Sequence, residues 1–229
     1  MSQEGGMDCE ARRSKDDDYF LAPGWTVGEI REVIESGIDE ESNRKKIAEF
    51  IYKRFYCRYL RIIDTESGDY KSGFVMMAIS CLMIEGLYSF IKGTDRSEGK
   101  AFVNFFKRYK NIFQEFDNDV GVKGGEFHRN IRCGILHQGE VKGGWRIHRN
   151  KKFPEGEYGK ATSEKYKYEL KKYTSVDFEK RIIHANIFIK KLKLVLEEYS
   201  KEIEGNSDVA RSAVKKIEYI LKNCKIPSQ

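Results

Sequence analysis

The segment EFHRNIRCGILHQGEV, residues 126–141, gathers two of the chain's four histidines, His128 and His137, with Arg129 and Arg132 around Cys133 and Gly134. Arg132 and His137 frame four residues. Imidazole titrates near neutrality and moves protons, while guanidinium keeps its charge and holds phosphate oxygens in a fork of N–H donors. Side by side, the two supply what cleavage of a phosphodiester needs, so Arg132 and His137 are the candidate catalytic pair. Arg129, one helical turn before Arg132, is placed to hold a neighbouring phosphate. His128 is a supporting candidate whose ordinary reading is plain surface. Cys133 and His137, four apart, share a helix face, but nothing supplies the third group or oxyanion hole that a cysteine nucleophile requires.

On an ideal helix, residues five apart point about 140° away from each other. Arg132 and His137 therefore meet only where the helix departs from regularity, and Gly134 and Gly139 predict a helix that loosens or ends there. A symmetric dimer offers a second route, because each cleft can then draw on both copies.

Around this segment the chain reads as helix. Three prolines in 229 residues favour long helices over a turn-rich β architecture. Thr26 predicts an N-cap, with Glu29 completing a capping box for a short helix that stops at Gly37. A long helix is predicted over about 40–64, where Ile47, Phe50, Ile51, Phe55, Tyr59, Ile62 and Ile63 recur at three- and four-residue steps. Lys45, Lys46, Lys53, Arg54, Arg58 and Arg61 populate its other faces, ordinarily as a solvated surface and alternatively as a strip facing RNA. The most apolar helix is predicted over 73–91, as the central buried member of a bundle. Glu85 lies in it amid Met83, Ile84, Leu87 and Tyr88. A carboxylate in such surroundings needs a partner, either as a structural ion pair or as the group that orients Arg132 or His137.

A helix over 101–116 follows, its Phe102, Phe106, Tyr109, Phe113 and Phe116 at the period of a core face rather than of a base-stacking platform. Residues 117–125 predict a turn through three glycines. Ser175 predicts the cap of a helix running to about 199, with His184 inside it as a packing residue, and Ser207 restarts a final helix to about 223. Residues 141–170 read differently. WRIHR and KYKYEL alternate polar and apolar residues, which predicts a β-hairpin. Trp145, Arg146 and Arg149 in it are candidate RNA contacts by stacking and phosphate binding; the other reading is a cover for the end of the bundle. The expected fold is mainly α: a tail over 1–25, disordered or loosely packed, then a single helical domain over 26–229 with its core at about 40–200.

The R-x4-H spacing of Arg132 and His137, set among helices in this order, resembles the HEPN superfamily, α-helical proteins that include RNase toxins, antiphage effectors and CRISPR-associated nucleases. The resemblance covers about residues 40–200 and implies a HEPN-like helical bundle with an inserted helix and a small β-hairpin. Its core helices would be 40–64, 73–91, the motif helix and 176–199. It further implies a homodimer whose two motifs line one cleft, and metal-independent RNA cleavage in which only Arg132 and His137 map directly. A polar residue on a facing helix, here Glu85, often accompanies the motif in that family. Cys133 stands where many active members carry Asn, Asp or His. A role in bacterial defence or a toxin system, with an antitoxin or sensor protein as partner, is implied as well. The alternative is a catalytically silent dimeric scaffold of the same fold, binding RNA, a nucleotide or a partner protein. A third reading is a helical interaction protein unrelated to that family.

Composition bounds these readings. A net charge of +6, from 42 Lys and Arg against 36 Asp and Glu, permits a nucleic-acid partner without requiring one. Five cysteines without C-x-x-C spacing argue against a disulfide framework and a zinc site and for a reducing cytoplasm. The absence of H-E-x-x-H, P-loop and dinucleotide patterns leaves no metal or cofactor expected. The longest apolar run, 74–84, is about half of what spans a bilayer, so no membrane segment is expected.

Overall fold

Thr26 caps the first helix reciprocally: its Oγ1 accepts from Glu29 N at 3.2 Å, and the Glu29 carboxylate accepts from Thr26 N at 2.7 Å. This is the capping box its sequence predicts. The structure is a computed structural model that describes residues 15–63, 72–96, 99–149 and 162–224. Most of the expected tail, residues 1–14, lies outside the described residues. From residue 15 onward the tail is built into the domain: a two-stranded ribbon of β1 (Phe20–Ala22) and β2 (Trp25–Thr26) buries Leu21 and Ala22.

The fold is mainly α. Helix α1 spans Val27–Glu35 and α2 spans Glu41–Phe55, which continues through a π-turn, Tyr56–Leu60, to Ile63. Helix α3 is Gly73–Lys92, capped by Ser72 and closed by Gly93 at φ 64°. Helix α4 is Ala101–Arg108, and α5 (Val120–Phe127) runs through a second π-turn, His128–Arg132, into α6 (Cys133–Gln138). Then come β3 (Arg146–His148), α7 (Glu164–Lys172), β4 (Val176–Asp177), β5 (Ile182–His184), α8 (Ala185–Gly205) and α9 (Ser207–Asn223). Helices α2, α3, α8 and α9 pack as a bundle, and the motif arm from α5 to α6 lies against α3 and α4. By length and composition α3 would cross a membrane, but more than half of it is buried within the bundle, as the core helix of the fold.

Four expectations are corrected. The helix predicted over 101–116 stops at Arg108, and the chain turns back into a 3-10 turn at Gln114–Phe116. The aromatic spacing misled because this turn aims Tyr109, Phe113 and Phe116 into the same core as Phe105 and Phe106, where Phe106 stacks on Phe116 at 3.7 Å. The glycines at 121, 124 and 125 do not make a turn but lie within α5. A Cβ on Gly124 would sit 2.9 Å from Val103 Cα, so glycine there lets α5 touch α4. The hairpin over 141–170 does not form. Its one strand among the described residues, β3, pairs in parallel with β5, which pairs antiparallel with β4. KYKYEL lies in α7, capped by Ser163, because Tyr166 and Leu170 bury themselves at a four-residue step that the two-residue alternation also contains. Residues 150–161, the expected charged turn, lie outside the described residues. Lastly, Ser175 caps no helix; its N–H and hydroxyl donate to Glu115, and α8 begins only at Ala185, after β4 and β5.

Candidate functional site

Phe127, Ile131 and Ile135 anchor the motif arm in the core, four residues apart, and leave Arg132 and His137 at the surface. Arg132 Nε donates to Glu85 Oε1 at 2.9 Å and Nη2 to Oε2 at 3.3 Å, a two-pronged grip across α3 and α6. Its Nη1 lies 3.0 Å from His137 Nε2. The arginine is always the donor, so Nε2 accepts and the His137 ring in this arrangement is neutral, its proton on Nδ1. The two side chains of the ion pair are 22% and 19% exposed, sheltered but reachable. The hydrogen bonds that the Glu85 carboxylate accepts hold the Arg132 guanidinium more firmly protonated than usual, against the opposing effect of burial. Glu85, Arg132 and His137 thus form one hydrogen-bonded chain, and the reach of the arginine closes the angle that helix geometry opens between positions 132 and 137.

The π-turn sets the rest of the arm. Cys133 N–H bonds to His128 O, five residues back, which stacks position 133 over position 128. Cys133 Sγ accordingly sits 3.8 Å from His128 Nε2. The His128 ring packs 5.4 Å from Phe102, and burial, followed by the Arg132 charge, lowers its pKa. Gly139, at φ 71°, ends α6. Gly134 is needed for the return of the chain: a Cβ there would lie 2.4 Å from the Glu140 carbonyl oxygen. That return is fastened by Lys142 N donating to Asn130 O at 2.9 Å.

Of the other candidates, Arg129 is exposed on the π-turn and meets no carboxylate among the described residues. Trp145 is a correction. It is 3% exposed, its ring packed edge-on against Phe178 and its Nε1 donating to Glu126 at 3.3 Å, so it offers no face to a base. Arg146 is exposed on β3, and Arg149 follows that strand. Their strand meets α3 where Ile147 packs on Gly73, twelve residues or about 18 Å along the helix from Glu85. The structure does not gather them with Arg132. Among the described residues, no group of three or more His, Cys, Asp and Glu side chains is placed to hold a metal ion.

Two features escaped the sequence reading. One is an apolar strip on α3: Phe74 (41% exposed), Val75 and Leu82 (44% exposed) face outward and lead along the helix toward Glu85. The other is a cavity of about 320 Å³ on the opposite flank of Glu85, bounded by Arg54, Tyr59 and Lys216. The cavity joins residues that chain order keeps apart, and the strip lies on a helix whose sequence reads as apolar nearly all round. No family model, curated protein or solved structure matches this chain.

Proposed function

We propose that the chain is a metal-independent endoribonuclease of HEPN type that acts as a homodimer in a reducing cytoplasm. The observation that carries this reading is the Glu85–Arg132–His137 chain, an imidazole within 3.0 Å of a guanidinium that Glu85 holds in place at a reachable surface. An RNA phosphate arriving at Arg132 competes for Nη1 and frees His137 Nε2. His137 then takes the proton of a ribose 2′-OH, whose oxygen attacks the adjacent phosphorus. Arg132, kept in place by Glu85, stabilises the charge that builds on the phosphoryl oxygens. The 5′-oxygen leaves with a proton from the second copy's His137 in its protonated, imidazolium form, giving a 2′,3′-cyclic phosphate and a 5′-hydroxyl, so that one imidazole gains the proton that the other gives up. The apolar strip of Phe74, Val75 and Leu82 supports a second copy docking along α3, beside the motif. A place in bacterial defence or a toxin system, with an antitoxin or sensor partner, follows the same resemblance.

A second reading is favoured by one observation: Arg132 already spends three of its donors within the protein, on Glu85 and His137. A silent scaffold that binds RNA, a nucleotide or a partner protein would keep it so. Incubation of the full chain with labelled single-stranded RNA in EDTA decides between them. The nuclease reading expects cleavage with cyclic-phosphate ends, reduced at least about a hundredfold in Arg132→Ala and His137→Ala. Intact RNA in every lane, with RNA still bound, selects the scaffold.

A further inference from the structure

The two π-turns among the described residues flank one carboxylate. The first carries Tyr59, which lines a cavity with Glu85; the second carries Arg132, which is paired to Glu85. Such turns interrupt the regular hydrogen bonding of a helix and are frequent at functional sites. The cavity lies between α2, α3 and α9, and its polar walls are Arg54, Tyr59, Glu85, Ser89, Asp95 and Lys216. At about 320 Å³ it lies at the small end of ligand sites, the scale of one compact molecule.

Its charges are unevenly met. Glu85 is taken by Arg132, and Asp95 stands 3.7 Å from Lys216. Arg54 has no carboxylate among the described residues: its Nη1 donates to Leu21 O at 2.7 Å, and Arg58 Nη2 donates to the same oxygen at 2.9 Å. Two guanidiniums thus converge on one neutral carbonyl. Burial first, and then the charge of Arg58, push the Arg54 pKa down to about 10, which an incoming anion would reverse. Beside this cation stands the partly buried ring of Tyr59, stacked against Phe55 at 5.6 Å and lining the cavity, an aromatic surface of the kind on which a base stacks.

We propose that the cavity binds a single phosphorylated nucleoside, with the phosphate on Arg54 and Lys216 and the base against Tyr59. The phosphate follows from Arg54, the cation of this cavity that meets no carboxylate among the described residues; the nucleoside rests on the ribonuclease reading above. Two sources share this chemistry: a free nucleotide, and the nucleotide next to the scissile bond of an RNA strand.

The test is equilibrium binding to the full chain carrying His137→Ala, which holds RNA uncut. The probes are fluorescent adenosine monophosphate and a labelled short oligoribonucleotide. Arg54→Gln is expected to weaken binding about tenfold or more, the value of a charge-assisted hydrogen bond. Lys46→Gln, an exposed charge on α2 outside the cavity, is expected to change it less than about twofold. Arg54-dependent binding of the monophosphate identifies a free nucleotide as ligand; the same dependence with the oligonucleotide alone identifies the flanking nucleotide of a strand. Equal binding in folded Arg54→Gln, or no binding of either probe, overturns the proposal. If Arg54→Gln does not fold, because Arg54 also ties down Leu21, Lys216→Glu on α9 decides by the same criterion. Cleavage by the wild-type chain is scored separately. Cleavage with Arg54-independent binding sinks the cavity alone, and Arg54-dependent binding without cleavage sinks the ribonuclease reading alone.

Discussion

Arg132, His137 and Glu85 form a site whose parts are held by hydrogen-bond geometry, while two neighbouring residues, His128 and Gly134, set the conditions under which the arm keeps its shape. The lowered pKa of His128 has a definite sign in stability. Its neutral form is favoured in the fold, so this contribution is complete above the unfolded value of about 6.5 and is lost as pH falls through that value toward the lower folded one. We expect the Tm of the wild type to fall more steeply on acidification below about pH 6.5 than that of His128→Gln, as thermal melts across a pH series would show. Equal slopes would mean that His128 titrates alike folded and unfolded. Gly134→Ala forces a Cβ onto the Glu140 carbonyl, which is backbone and cannot step aside cheaply. We expect a loss of about 1–3 kcal/mol in denaturant melts. Gly139→Ala, by contrast, meets no neighbour within 4 Å and bears only the strain of φ 71°. Of this candidate site, residue type and spacing brought Arg132 and His137 forward in the sequence, and the structure places them 3.0 Å apart. The sequence left Glu85 as either a structural partner or an orienting group, since its contact with Arg132 spans 47 positions.

At the scale of elements, periodicity was informative where one face alone is buried and ambiguous elsewhere. Helices α3 and α9 follow their apolar spacing and end near the expected residues, while the helix expected over about 40–64 is regular only to Phe55 and reaches Ile63 through a π-turn. In 165–170 a period of two and a step of four coexist, and burial of Tyr166 and Leu170 selected the helix. Lys191, which follows Lys190 in the sequence, is fully buried in α8 and bonds to Glu115 at 2.8 Å. Glu115 also accepts from the Ser175 N–H at 2.9 Å and from its hydroxyl, so one carboxylate ties the turn after α4 and the approach to β4 onto α8. Lys191→Met strands that buried carboxylate, and we expect about 3–5 kcal/mol of destabilisation in chemical melts. Adding Glu115→Gln should recover a large part of it, because the unpaired charge then disappears. Failure to recover would mean that lost packing dominates.

The whole molecule presents its reachable site at one edge of an apolar strip. A chain that exposes Phe74, Val75 and Leu82 on its most apolar helix has a surface that a second copy can cover. Leu82→Lys should leave the fold intact, since Leu82 is 44% exposed, and should shift the protein from dimer to monomer in light scattering. On the cleft reading it should also depress RNA cleavage at least about tenfold, with Arg132 and His137 untouched. A dimer that survives the substitution would place the interface elsewhere.

The π-turn before Arg132 has a meaning beyond local geometry. It is one residue more than an uninterrupted helix would need between α5 and α6, so it acts as a phase setting. Removing that extra residue would let α5 wind regularly into α6 with the phase kept, whereas one further residue, with no second bulge to absorb it, would rotate everything after it by about 100°. Arg132 and His137 would stay together, five positions apart, but both would swing off Glu85. Alignment of this site therefore depends on a count of residues as much as on their identities, and a gain of one codon would misalign it while Glu85, Arg132 and His137 all remained in the sequence.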